Sequence, residues 1–287
     1  MVPGADGSIL RRKIIMKTFS IGILQGRLSP SLDGRFQFSP EDWAKEFSIA
    51  KDMGSDAIEW LFDWVDFEKS PLLTQAGRDS IKEVAKSSGI AVSSICADYY
   101  MKYTLTGQEA DDSVDILKKL IEAAEITSEK LILIPLLEKN APKTKEEKSE
   151  IAANIKKVMP EAEKRGVKVA FETEMNAQEI SDFLGEIGSE NAGVYYDIGN
   201  ATSYGFNCVE DIRALRSKVF GVHAKDRKVN DTQSKMLGEG DADYAGCFRS
   251  LQDIGFSGTL IMQAWRGENY LDDAKKQHAF LKNLLKS

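Results

Sequence analysis

Eight short runs of β-branched and apolar residues alternate with longer helical patterns along this chain of 287 residues. That beat is what most narrows the folds open to it. The strand-like runs fall at 19–24, 56–60, 90–97, 130–136, 167–171, 193–196, 219–222 and 259–262. The first helical pattern opens at Pro40-Glu41-Asp42 behind Ser39 as N-cap and stops near Gly54. Others follow at 78–88, 110–126, 145–165, 177–187, 209–215, 244–254 and 272–285. Apolar strand cores separated by amphipathic helices predict a parallel sheet covered by helices. Eight βα units in about 250 residues fit one closed (β/α)8 barrel, an α/β fold, better than an open doubly wound sheet. The first βα turn also lacks GxGxxG, the dinucleotide-binding fingerprint. No Pro/Ser-rich linker divides the chain, so 18–287 reads as a single domain. Residues 1–17 read as an N-terminal extension, unstructured or introduced by cloning, with Met16 directly before the first core-like segment.

Composition removes several classes of function. No apolar run approaches the roughly 18 residues needed to span a bilayer, and no membrane partner is expected. Residues 1–17 carry positive charge without a long apolar stretch, so they do not read as a signal peptide. Lys and Arg number 38 against 45 Asp and Glu, a formal net charge of −7. That balance argues against a nucleic-acid partner, whose binding is driven by clustered cations. The three cysteines, Cys96, Cys208 and Cys247, are scattered and form no CxxC pair. They suit a reduced cytoplasmic protein rather than a disulfide framework or a zinc knuckle.

In a barrel of this kind the active site lies at the C-terminal ends of the strands. Just past each run stand Gln25 and Arg27, Glu59, Asp98, Glu138, Glu172 and Glu174, Asp197 and Asn200, His223 with Lys225 and Asp226, and Gln263. Strand ends are half-exposed and often polar in any barrel, so no one of these is informative alone. The second half of the chain is harder to dismiss. Its four strands end in Phe171-Glu172, Tyr196-Asp197, Val222-His223 and Met262-Gln263. Two carboxylates, an imidazole and an amide oxygen on neighbouring strands make a mixed N/O set suited to one divalent ion, Mn²⁺, Co²⁺, Zn²⁺ or Mg²⁺. The other histidine, His278, falls in the last helix and reads as a surface or packing residue. Arg27, Lys225, Arg227 and Arg266 are rim cations able to pair with a phosphate or carboxylate, or else ordinary solvated loop charges. Gly238 and Gly240 could bring backbone amides to an anion or simply form a turn. Trp60, Trp64 and Trp265 could stack on a sugar ring or pack beneath the loops.

The segments QGRLSP, FETE, YYDIGN, VHAKD and LGEGDADY resemble the xylose isomerase-like TIM barrel superfamily. Within it they resemble the sugar-phosphate isomerase/epimerase branch, which shares a sequence family with the type 2 AP endonucleases. The resemblance implies a metal held by Glu172, Asp197, His223 and a fourth group from the eighth strand. It also implies a sugar bound through its carbonyl and hydroxyl oxygens; their place at the same rim makes Arg27, Glu59, Asp98, Glu138, Asn200, Lys225, Arg227 and Arg266 candidate substrate contacts. The fourth position departs from the family pattern, because Gln263 stands where a glutamate is expected. Its amide oxygen can ligate, but it cannot accept a proton. An endonuclease reading fails on the same residues: two histidines cannot build a multi-zinc cluster.

These residues predict a divalent-metal-dependent isomerase or epimerase of a sugar or sugar phosphate, working through an enediolate. Glu172 is the expected ligand and base. The return proton is open among Glu138, Glu59, Asp226 and Lys225. Gln263 favours isomerisation or elimination over two-base epimerisation. Two alternatives stand beside this: a dehydratase of the dehydroshikimate or inosose type, and a barrel that binds metal and polyol without turnover. Self-association is left open.

Overall fold

In the computed structural model, which describes residues 19–31, 34, 35 and 37–286, eight parallel strands pair in chain order and the last closes on the first. They are β1 (Ser20–Leu24), β2 (Ala57–Leu61), β3 (Ala91–Cys96), β4 (Leu131–Leu136), β5 (Lys168–Thr173), β6 (Ala192–Asp197), β7 (Val219–Ala224) and β8 (Thr259–Met262). The helices are α1 (Trp43–Met53), α2 (Gln75–Ser88), α3 (Ala110–Ala123), α4 (Lys145–Lys156), α5 (Met159–Arg165), α6 (Ala177–Ile187), α7 (Ile198–Ser203), α8 (Cys208–Leu215), α9 (Tyr244–Asp253) and α10 (Tyr270–Leu284). The expected barrel is therefore present. The extension assigned to 1–17 lies outside the described residues.

Two local expectations are corrected. The helical pattern at 145–165 is two helices, because Pro160 has no N–H to continue α4 and instead opens α5. Ser39 does not cap α1; its N–H donates to Asp63 Oδ2 at 3.0 Å, and Asp42 precedes the helix. Where α4 and α6 begin, the sequence is explicit: Thr144 with Glu147 and Asn176 with Glu179 form reciprocal capping boxes.

Strand side chains alternate between two apolar compartments. Ile58, Trp60, Ile132, Val169, Phe171 and Val222 face outward into the large core beneath the helices. Leu24, Leu61, Cys96, Leu133, Ala170, Tyr195 and Ile261 pack inside the barrel. Each fully buried Leu or Ile contributes about 1.5–3 kcal/mol. The period of two then fixes what stands one step further along the inner face. From Ala170 it leads to Glu172, from Tyr195 to Asp197, from Gly221 to His223 and from Ile261 to Gln263. The residues that pack the barrel thereby aim the polar ones at one end of it.

Candidate metal centre and cavity

At the C-terminal ends of the strands lies a cavity of about 810 Å³. Its walls include Gln37, Trp64, Asp98, Lys102, Glu138, Lys139, Glu172, Glu174, Asn200, Tyr204, Lys225, Arg227, Gln263 and Trp265. Glu172 in its wall stands with Asp197 and His223 behind it; each offers one ligand atom, all within 4.8 Å of one another, and all three residues are buried. His223 Nδ1 lies 3.6 Å from Glu172 Oε2 and 3.8 Å from Asp197 Oδ2. Both His223 Nδ1 and Asp197 Oδ2 are buried without a hydrogen-bond partner among the described residues. Orphaned buried polar atoms are costly, and two of them converging with a carboxylate fit a divalent cation.

The other sides of these groups are occupied. His223 Nε2–H donates to Glu59 Oε2 at 2.7 Å. Glu59 in turn accepts from Ser94 Oγ and Tyr195 Oη, each at 2.7 Å, through Oε1. Asn200 donates its backbone N–H to Asp197 Oδ1 at 2.8 Å and its side-chain Nδ2 to Glu172 Oε1 at 2.5 Å. Asp197 caps α7, so the turn after β6 both holds Asp197 and delivers Asn200. These partners leave Nδ1 and the inner carboxylate oxygens pointing at one another.

The charges follow from this packing. Burial pushes His223 down, but Glu59 and Glu172 outweigh it and raise the imidazole to about 10. Burial pushes Glu172 up, yet the neighbouring His223 imidazole and Lys225 bring it below the usual carboxylate range. Asp197 is raised by burial and by Glu172 against the pull of Lys225.

Gln263 stands beside the three acid and imidazole groups, and its Oε1 accepts from Lys225 Nζ at 3.1 Å. Lys225 Nζ also lies 3.7 Å from Asp197 Oδ2, and burial lowers its affinity for its proton. The amide oxygen has a second lone pair, so this bond leaves one ligating position on it. Gln263 Nε2 donates to Gln37 Oε1 at 2.6 Å, and Gln37 Nε2 donates to Asp98 Oδ1 at 2.8 Å.

Several expected contacts lie elsewhere. Glu59 is fully buried beneath the site and serves His223 rather than a substrate. Arg27 is buried behind the wall, where it lines a small crevice with Met262, Trp265 and Tyr270. Burial and neighbouring Arg266 lower it to about 9. Arg266 donates to the carbonyls of Gly26, Ser29 and Arg35, tying the β1 loop to the β8 loop. Asp226 accepts N–H bonds from Gly238, Gly240 and Ala242. It is a loop clamp, and the two glycines cradle its carboxylate instead of a ligand. Trp60 packs outward against Trp43, with ring centroids 5.1 Å apart. Trp64 and Trp265 do line the cavity, as do Asp98, Glu138, Asn200, Lys225 and Arg227. Gln37 was not among the expected residues: it reaches the site from the long loop after β1, where no periodicity announces an inward side chain.

A family model described as xylose isomerase-like TIM barrel matches residues 47–284. L-ribulose-5-phosphate 3-epimerase UlaE of Salmonella heidelberg (strain SL476) is 25% identical over 238 residues, covering 78% of this chain and 83% of its own. Two solved structures share the architecture. A xylose isomerase domain protein from Planctomyces limnophilus aligns with a TM-score of 0.72 at 19% identity, covering 94% of this chain and 96% of its own. L-ribulose 3-epimerase aligns at 0.73 and 19% identity, covering 93% and 94%. The chain belongs to the xylose isomerase-like TIM barrel family.

Proposed function

We propose that this chain is a divalent-metal-dependent epimerase of a ketose or ketose phosphate, acting at the carbon next to the carbonyl. The observation that carries the reading is the cluster beside the cavity wall, where His223 Nδ1 and Asp197 Oδ2 are buried beside Glu172 with no hydrogen-bond partner among the described residues. Glu172, Asp197 and His223 would hold the ion, with Gln263 as fourth donor. A divalent ion there would polarise the sugar's oxygens and offset the negative charge that develops as the proton leaves. The sugar class rests on the sequence relative, an epimerase acting on L-ribulose 5-phosphate by its name.

Glu172 is the base. It is held ionised by His223 and Lys225 despite its burial, and Asn200 fixes its outer oxygen. Trp64 and Trp265 supply apolar wall for a sugar ring or chain. Arg227 lines the same cavity with its Nε buried and without a hydrogen-bond partner among the described residues, a suitable group for a phosphate. Three buried free thiols, Cys96, Cys208 and Cys247, suit a reducing cytoplasm. Among the described residues no helix is long and apolar enough to cross a membrane.

The test has two parts. Metal content of protein purified without chelator should be about one equivalent in the wild type and lost in His223→Ala. The loaded protein should then exchange the α-proton of one member of a panel of ketopentoses and ketohexoses, free and phosphorylated, with D₂O. Bound metal without any exchange would leave a sugar-binding barrel, and loss of water from the product would mean a dehydratase.

A further inference from the structure

Replacing the expected eighth-strand glutamate with Gln263 removes an acid–base group from one side of the substrate. Inversion at carbon nevertheless requires a proton to leave one face and another to arrive at the opposite face. Of the groups expected to return it, Glu59 and Asp226 do not line the cavity, and Asp226 is engaged by three backbone N–H groups. Lys225 is bonded to Gln263. Glu138 is exposed, and its backbone N–H is bound to Glu174 Oε1 at 2.6 Å. Glu174 is itself paired with Lys143 at 2.7 Å. Among the described residues lining the cavity, the buried carboxyls are Glu172 and Asp98.

Asp98 is placed in direct relation to the altered position. A single side-chain amide, that of Gln37, joins Asp98 Oδ1 to Gln263 Nε2, with bonds of 2.8 and 2.6 Å. The acid missing from position 263 is thus present one amide away, in the turn that follows β3, and the bond to Gln37 occupies only one of its two oxygens.

We propose that Asp98 is the second acid–base group of this barrel, working on the same substrate carbon as Glu172 from the other face. This rests on the epimerase reading above. In the forward step the Glu172 carboxylate takes the α-proton and becomes a carboxylic acid. The C–H electron pair becomes the carbon–carbon double bond of the enediolate, and the carbonyl pair moves onto oxygen. Asp98, starting as the carboxylic acid, gives its proton to the opposite face of that carbon and becomes a carboxylate as the carbonyl reforms. Exchange with solvent resets both groups. Burial and neighbouring Asp63 raise Asp98 to about 7, with Glu172 adding to the effect. A carboxyl kept protonated into the neutral range can give up a proton there, as the second role requires.

The experiment uses full-length, metal-loaded protein in D₂O with each member of the ketose panel and with the C3 epimers of its members. Wild type should form epimer carrying one deuterium at the inverted carbon. Asp98→Asn should lose inversion by about 100-fold or more. It should still wash deuterium into the recovered epimer whose proton faces Glu172, and should fail to do so with the opposite epimer. Asp98→Glu keeps an acid and should recover measurable inversion, which separates loss of the acid from loss of the fold. Near-normal inversion in Asp98→Asn overturns the proposal, and so does equal loss of exchange with both epimers. A wild type that exchanges no proton from any sugar overturns the epimerase reading itself, a result seen before either variant is compared.

Discussion

An imidazole can bind a metal through either ring nitrogen, and the hydrogen bond made by the other nitrogen decides which. In this barrel the decision belongs to Glu59, which accepts the Nε2–H of His223 at 2.7 Å and so leaves Nδ1 as the free donor toward Glu172 and Asp197. Glu59 is itself held by Ser94 and Tyr195, so the orientation is enforced by three strands. Glu59→Gln keeps the volume but removes the charge that makes Nδ1 a better donor. Affinity for Mn²⁺ should fall about 10–100-fold while the fold is retained, read by metal titration alongside a thermal melt. Unchanged affinity would mean that the ring is oriented by packing alone. Nothing at the position of Glu59 in the sequence separates this role from substrate contact. A residue at a strand end is visible in the pattern, but the partner its side chain finds is not, which is also why Arg27 and Arg266 read as substrate contacts and Asp226 as a proton source.

At the scale of elements, the site is a consequence of strand phase. The alternation that puts Ala170, Tyr195 and Ile261 inside the barrel also puts Glu172, Asp197 and Gln263 at its mouth, and a period of two is legible without any structure. The barrel and the convergence of Glu172, Asp197 and His223 could therefore be read from the chain, whereas Gln37 could not, since a long loop has no period. Phase is maintained by close packing within the barrel, and Gly221 on β7 shows how tightly. A Cβ there would lie 2.3 Å from the ring of Tyr195, whose hydroxyl donates to Glu59. Gly221→Ala should destabilise the protein by about 1–3 kcal/mol. By pushing that ring aside it should also weaken metal binding, an effect that a substitution in the outer core would not have. A thermal melt and a Mn²⁺ titration on the same variant test both halves. A lowered Tm with intact affinity would separate barrel packing from the ligand set.

For the whole molecule, the chain concentrates ionisable groups in one buried place, and pH therefore acts on its stability in an uncommon direction. Asp98 is raised from 3.8 to about 7 by burial and Asp63. In the folded state it holds a proton that the unfolded chain has already released, so stability is lost as pH climbs from about 4 to about 7. His223 is raised from 6.5 to about 10, because Glu59 and Glu172 outweigh burial. The stability it contributes is complete below about 6.5 and is lost as pH climbs toward about 10. The two losses have the same sign. Both withdraw stability across the range from about pH 6 to about pH 8.5. Self-repulsion of a chain with net charge −7 grows in the same direction. Chelator-treated protein should accordingly melt at a higher temperature near pH 6 than near pH 8.5, and Asp98→Asn should flatten the part of the slope below about pH 7. Metal loading should oppose the trend, because an ion at Nδ1 takes the place of the His223 proton and binds more tightly as that proton becomes easier to remove. Melting curves across this range, with and without Mn²⁺, check all three statements. A metal-free Tm that rises with pH would mean that His223 is neutral in the folded chain and that the buried carboxyls are ionised without it.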